Sequence, residues 1–323
     1  MGDGSLQGPL IADTVAVNIG LALMIGSLAG GAWVRRAVSP WAVIVRLRSR
    51  SWFRVGTALT ATATGLGLWL QSSVMADVPF VDAWPATVTM ATGTHAGHAW
   101  AAGMFGLLVA GTAGWSRTVG QRHWLWTCVA AVGIAFFAYT RSIVSHAGSQ
   151  GDVSAALWID WGHLLLVGAW FGIVFLAGCA VLQVQTKDRG DGQDAAVWVS
   201  ALSATATWVL VGILLTGVVN VWRGAGPLGR LPGSAYGTAL FIKLALVLLA
   251  ALLGAWNRFR VMPLFVADLA AGVGTRSRHK GAFVRILHFE AVFLSAALVA
   301  AAFLSASEPP DTSFQSKPSQ EKT

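Results

Sequence analysis

Charge is scarce in this 323-residue chain. Asp, Glu, Lys and Arg together make 11% of it, against about 25% in a soluble domain. That excludes an ordinary water-soluble globule. Cysteine occurs only at Cys128 and Cys179, which is too few for a disulfide scaffold. No GxxxxGK[ST] pattern occurs, so the chain lacks the phosphate cradle of an ATP-driven pump. No CxxCH occurs either, which excludes covalent c-type haem attachment. The first residues, MGDGSLQGPLIADTV, lack a basic n-region, so no cleaved signal peptide is expected. Nothing in the pattern of residues marks an enzyme.

Apolar residues are abundant, at 55% of the chain, and the mean hydropathy is +0.64. They arrive in blocks of about 20 or more, the length that spans a bilayer. A membrane β-barrel would instead alternate polar and apolar residues over about 10 positions. Eight apolar segments can be drawn: 10–34, 54–75, 86–110, 124–145, 155–182, 198–222, 236–258 and 284–305. The expected fold is an all-α, polytopic transmembrane helical bundle of eight spans. Its 37 glycines suit helices that pack closely in lipid.

Basic residues orient the bundle. Sixteen Lys and Arg fall in the connections after the first, third, fifth and seventh segments, and four fall on the opposite side. This bias predicts both termini outside. The net charge of +8 therefore reads as a cytoplasmic-face anchor, not as a nucleic-acid site. Most of the 16 tryptophans are expected in belts at the two membrane interfaces, Trp41 among the inner ones.

Four histidines fall in the outer half of this frame. An imidazole in hydrocarbon needs a partner and is a functional suspect by default. His95 lies about 9 residues, or roughly 14 Å, into the third segment from outside, with His98 one turn deeper on the same face. His146 closes the fourth segment. Asp160 and His163 share a face of the fifth, with His163 near 12 Å deep. Met75 and Met90 lie on the same side. Imidazole with thioether suits copper, as Cu(I) or Cu(II). Asp160 or Asp152 could supply a carboxylate and leave room for zinc. For each histidine the alternative is a plain helix–helix hydrogen bond, and for each methionine it is packing.

Other polar residues are embedded in the segments. Asp13 and Asn18 occupy the first, Lys243 the outer half of the seventh, and Glu290 the inner half of the eighth. Lys243 is expected to face Asp160 or Asp13, to repel cations as a gate, or to snorkel to the outer surface. Cys128 and Cys179 read as small buried packing residues, with a soft-metal exit site as the alternative.

Several pieces of the second half carry a resemblance. They are Ser145-His146-Ala147, Gly162-His163-Leu164-Leu165, Gly168-Ala169-Trp170-Phe171-Gly172 and Thr216-Gly217-Val218-Val219-Asn220. Tyr236-Gly237 followed by Lys243, then Trp256-Asn257-Arg258, then Glu290 and Ser305-Ala306-Ser307-Glu308-Pro309 complete the series. Their order and spacing over residues 145–310 resemble the CopD-type copper-resistance membrane proteins. The first four helices match more loosely, through the histidines of the third. The resemblance implies a multi-pass protein of the bacterial inner membrane that takes up copper, beside a periplasmic CopC-like partner. It also implies roles for Trp170, Asn220, Tyr236, Lys243 and Glu290. One departure is that Trp170-Phe171-Gly172-Ile173 stands where the family commonly has Trp-x-Gly-Gly. The expected organisation is a first membrane half at 1–144, a CopD-like half at 145–310 and a short polar tail at 311–323. Two other readings stand beside copper transport. One is a b-type haem electron carrier, with His95 or His98 facing His163. The other is a copper-binding sensor or scaffold that moves nothing.

Overall fold

The computed structural model describes residues 6–115, 123–145, 147–148, 151–224, 234–273 and 277–306. Among them the regular structure is helical and no strand occurs. The α-helices are α1 (Gln7–Trp33), α2 (Pro40–Ala76), α3 (Trp84–Gly93), α4 (His95–Trp115) and α5 (His123–Ile143). They continue with α6 (Ala155–Leu176), α7 (Arg189–Gly224), α8 (Ala235–Trp256), α9 (Met262–Ala270) and α10 (Arg278–Ala306). Every apolar segment of the sequence lies on these helices. A π turn at Ala177–Val181 extends α6, and another at Asn257–Val261 joins α8 to α9.

Six helical stretches among the described residues are long and apolar enough to cross a membrane: α1, α5, α6, α7, α8 with its continuation, and α10. The second and third segments of the expected eight fall outside this set. Both α2 and α4 are diluted by threonine, serine, glycine and alanine. They pack against more apolar partners. Asp13 of α1 lies against Gly67 of α2, Gly20 against Gly56, and Gly30 near Ser49. The two helices therefore run antiparallel along their length. Likewise, α4 runs antiparallel to α5, with Gly103 against Thr140 and Gly106 against Gly133.

The third segment is broken, where the sequence reading has one helix. Thr94 is extended, at φ −121 and ψ 154. Its hydroxyl donates to Met90 O at 2.8 Å and accepts from Gly97 N at 2.9 Å. It thus closes α3 and caps α4, using the side-chain oxygen that orphan helix donors require. Gly97 permits the sharp join, because a Cβ there would lie 2.0 Å from Met90 O.

The centre of the molecule is α1. It packs on α2 and α5 on one side and on α6, α7 and α10 on the other. At the α1–α6 crossing a Cβ on Gly26 would lie 2.3 Å from Gly172 C, and one on Gly172 would lie 2.0 Å from Ala22 O. Gly168 and Gly172 form a small-xxx-small face that lets the backbones touch. The departure at Ile173 leaves this contact whole, since Ile173 is itself buried in the core. Farther along, α7 packs on α6 and α8 packs on α10, whereas α7 and α8 make at most marginal contact. Only 17% of the apolar window of α7 and 11% of that of α8 are buried, and a crevice opens between them at the level of Leu210 and Ala251.

Polar groups knit one end of the bundle. Asp191, buried at the start of α7, accepts from Trp41 N and Lys187 N, each at 2.9 Å. It satisfies an orphan donor of α2, which Ser39 also caps. Arg46 donates to the carbonyls of Val34 and Ala37, and Arg48 to that of Ala180. These arginines satisfy backbone carbonyls just beyond α1 and in the π turn after α6. Tryptophan is used internally more than the belt reading expects. Trp41 and Trp198 are among the largest fully buried side chains, and Trp198 Nε1 donates to Gly30 O.

Candidate functional site

One face of α6 carries the polar groups that line up through the bundle. Asp160, His163, Val167, Trp170 and Val174 recur at alternating spacings of three and four, which stacks them on one helix face. The upper group is His163. Its Nδ1 lies 2.8 Å from Thr216 Oγ1 on α7. Thr216 has one hydroxyl proton, and Gly212 O lies 2.7 Å from its oxygen as the acceptor one turn back. Nδ1–H of His163 is thereby assigned as donor to Thr216, which leaves Nε2 with an open lone pair. Among the described residues Nε2 has no hydrogen-bond partner. Gly217 leaves room for the ring, since a Cβ there would lie 3.5 Å from Cε1. Such orientation of one ring nitrogen by a hydrogen bond is how proteins present the other to a ligand.

Asp160, one turn from His163, accepts from Ser145 Oγ at 3.2 Å. Lys243 of α8 is within Coulombic reach of both Asp160 and His163. Asp160, and not Asp13, is the carboxylate within that reach of Lys243, and Asp13 lies within reach of Arg141 of α5. Asn220 follows Thr216 by four residues on α7, and Tyr236 precedes Lys243 by seven on α8. Tyr236 packs against Leu240 with Val221 of α7. Thr216 and Asn220 thus stand on α7 and Tyr236 and Lys243 on α8, at the end where Val221 meets Leu240.

The lower group centres on Glu290, which is 3% exposed. Trp170 Nε1 donates to its Oε1 at 2.8 Å. Gly254 of α8 lies against the carboxylate, where a Cβ would stand 3.2 Å from Oε1. Beside them is a cavity of about 180 Å³ lined from α6, α7, α8 and α10. The π turn that follows α8 contributes Asn257 and Arg258 to its wall.

The other expected ligands stand apart from this line. His95 Nε2 pairs with Asp152 Oδ2 at 3.0 Å, their side chains 66% and 50% exposed. The break before α4 places His95 at a helix start and not inside a continuous helix. His98 Nε2 lies 3.1 Å from Thr92 O. Met90 is buried, with Ser72 Oγ 3.2 Å from its sulfur, while Met75 is 71% exposed. His146 and residues 311–323 lie outside the described residues. Among the described residues no three of His, Cys, Asp and Glu gather as a metal-holding group. Cys128 and Cys179 are both exposed, so the expected burial does not hold for them.

Two family models cover most of the chain. Residues 5–155 match the model described as copper resistance protein D-like, N-terminal domain, and residues 196–304 match copper resistance protein D. The chain belongs to the CopD-type copper-resistance family. Neither a curated protein nor a solved structure matches it. The CopD-family assignment and the apolar helices make it a multi-pass, copper-related membrane protein. In this CopD-family protein α6, with Asp160, His163 and Trp170, lies between the two matched stretches. Sequence reasoning found His163, Asp160, Lys243 and Glu290 as polar residues in apolar runs. It singled out neither Thr216 nor Asn257 by itself, although both sit inside the motif pieces Thr216-Gly217 and Trp256-Asn257-Arg258.

Proposed function

We propose that this protein carries copper inward across the bacterial inner membrane, receiving it from the periplasmic side beside a CopC-like partner. It crosses eight times with both termini outside. The antiparallel pairing of α2 with α1 and of α4 with α5 supports the two less apolar crossings, because each is shielded by a more apolar neighbour. His95, His98 and His146 serve as the outer approach, with Asp152 orienting His95 and the Met75 and Met90 thioethers assisting. His163, with Asp160 above it, receives the ion at the head of the crevice between α7 and α8. The observation that carries this reading is the oriented His163 ring, whose Nε2 stands open. Imidazole nitrogen suits copper in either oxidation state, and a neighbouring thioether favours Cu(I).

The test is copper stoichiometry and uptake by the full chain in proteoliposomes. His95→Ala combined with His163→Ala is expected to lower bound copper and to abolish uptake. Unchanged stoichiometry and flux would sink the assignment. Copper bound without flux in the unaltered protein would mark a sensor or scaffold, and a Soret band in the purified protein would mark haem.

A further inference from the structure

The cavity below Trp170 is walled by a buried carboxylate with one oxygen left unpaired, and by a second buried acceptor close beside it. Asn257 is 3% exposed. Its amide nitrogen donates to Phe283 O at 3.4 Å, but its buried Oδ1 has no partner among the described residues. A buried carbonyl oxygen left unpaired is destabilising by about 1–3 kcal/mol, and native structures seldom leave one dry. Glu290 faces the same space. One of its oxygens takes the Trp170 indole proton, and the other has no protein donor among the described residues. The other polar groups of the wall are partly committed, and Nη2 and Nε of Arg258 and the Ser203 hydroxyl proton have no acceptor among the described residues. Arg258 donates to Ser203 O at 2.8 Å and Ser203 Oγ at 2.6 Å, and Thr207 Oγ1 donates to Ser203 O. Glu290 therefore looks into about 180 Å³ whose wall offers the Ser203 hydroxyl and the Arg258 guanidinium as donors to water. That space admits several waters, each occupying on the order of 30 Å³ in the liquid.

We propose that this chamber is a hydrated proton-binding site in which Glu290 takes up and releases a proton. Water bound at the free Glu290 oxygen delivers it, so hydronium and carboxylate become water and carboxylic acid. The donor set favours a proton over a metal ion. Its free acceptor is one carboxylate oxygen, whereas hard cations take about six or more oxygens and Cu(I) takes soft sulfur. A divalent ion would also face the Arg258 guanidinium. Among the described residues that guanidinium is the one other charged group in the chamber wall. From α6 comes Trp170, from α7 Ser203 and Thr207, and neither α1 nor α9 adds a titratable side chain to the lining. On α10 itself His288 turns to Gly178 O. On the orientation proposed above, the chamber lies in the cytoplasmic half, separate from His163.

Infrared difference spectra of the full chain in lipid, recorded across pH in H2O and D2O, test the assignment. The expected result is a carboxylic acid C=O band that appears on acidification, shifts down in D2O and vanishes in Glu290→Gln. Asp13→Asn and Asp160→Asn should retain it. Trp170→Phe removes the indole donor and should move the band to higher frequency, a readout that survives if Glu290→Gln folds poorly. Absence of the band at every pH would overturn the proposal, as would its persistence in Glu290→Gln or an unmoved band in Trp170→Phe. No copper enters these measurements, so their failure is distinguishable from failure of the copper reading.

Discussion

The single hydroxyl proton of Thr216 decides what His163 can do. With that proton drawn to Gly212 O, the imidazole must donate from Nδ1, and Nε2 is the nitrogen left to bind. Thr216→Val keeps the shape of the side chain and removes the acceptor. The ring then loses its tautomer preference and its orientation. Loss of such an orienting partner typically weakens metal affinity about 10–100-fold. Competition titration of Cu(I) and Cu(II) against the detergent-solubilised variant should show that weakening with the melting temperature little changed. Thr216→Ser should restore near-normal affinity, and an unaltered affinity in Thr216→Val would separate Thr216 from the site. His163 was legible in the sequence because an imidazole in an apolar run is anomalous on its own. Thr216 was not, because a threonine inside a membrane helix ordinarily satisfies itself on the preceding turn, and its second partner lies 53 residues away. The same distance problem hid the choice of Asp160 over Asp13 as the neighbour of Lys243.

Helices meet here through glycine, and one of the tightest meetings is the one that sets α6. A Cβ on Gly172 would stand 2.0 Å from Ala22 O, a backbone atom that has no rotamer to escape into. Gly172→Val must push α6 off α1. Overpacking of this kind destabilises by about 1–3 kcal/mol, occasionally more. Because α6 carries His163 and Trp170 on one face, the displacement should also disturb the crevice. Thermal melting monitored by circular dichroism is expected to show a lowered transition. Gly162→Ala should leave it near its original value, because a Cβ at that position meets nothing within 4 Å. Equal melting of Gly172→Val and the unaltered chain would contradict the packing argument. At this scale the existence of the helices was legible from apolar blocks, but the break between α3 and α4 was not. Alanine, glycine and threonine continue across Thr94 with no proline or charge to mark a stop. Only the two hydrogen bonds of Thr94, one to each helix, distinguish a break from a continuous turn.

For the whole molecule the open matter is how the less apolar helices sit. Hydropathy alone selects six stretches, and the sequence reading of eight rests on segment length plus the placement of Lys and Arg. Pairing supplies what hydropathy omits. Asp13 beside Gly67, Gly20 beside Gly56 and Gly30 near Ser49 place successive levels of α1 and α2 side by side in opposite directions. If α1 crosses the bilayer, α2 returns through it, with the hydroxyls of Thr57 and Thr60 satisfied on its own backbone. Two exposed valines turn this into a measurement. Val38, 90% exposed, lies between α1 and α2, and Val81, 79% exposed, lies between α2 and α3. With Cys128 and Cys179 replaced by serine, Val38→Cys and Val81→Cys are introduced one at a time. An impermeant maleimide added to intact cells should label Val81→Cys, and Val38→Cys should react only after the membrane is opened. Labelling of both from the same side would mean that α2 does not cross. That result would remove the second span, reverse the side assigned to His95 by counting from the N-terminus, and detach the outer approach from His163.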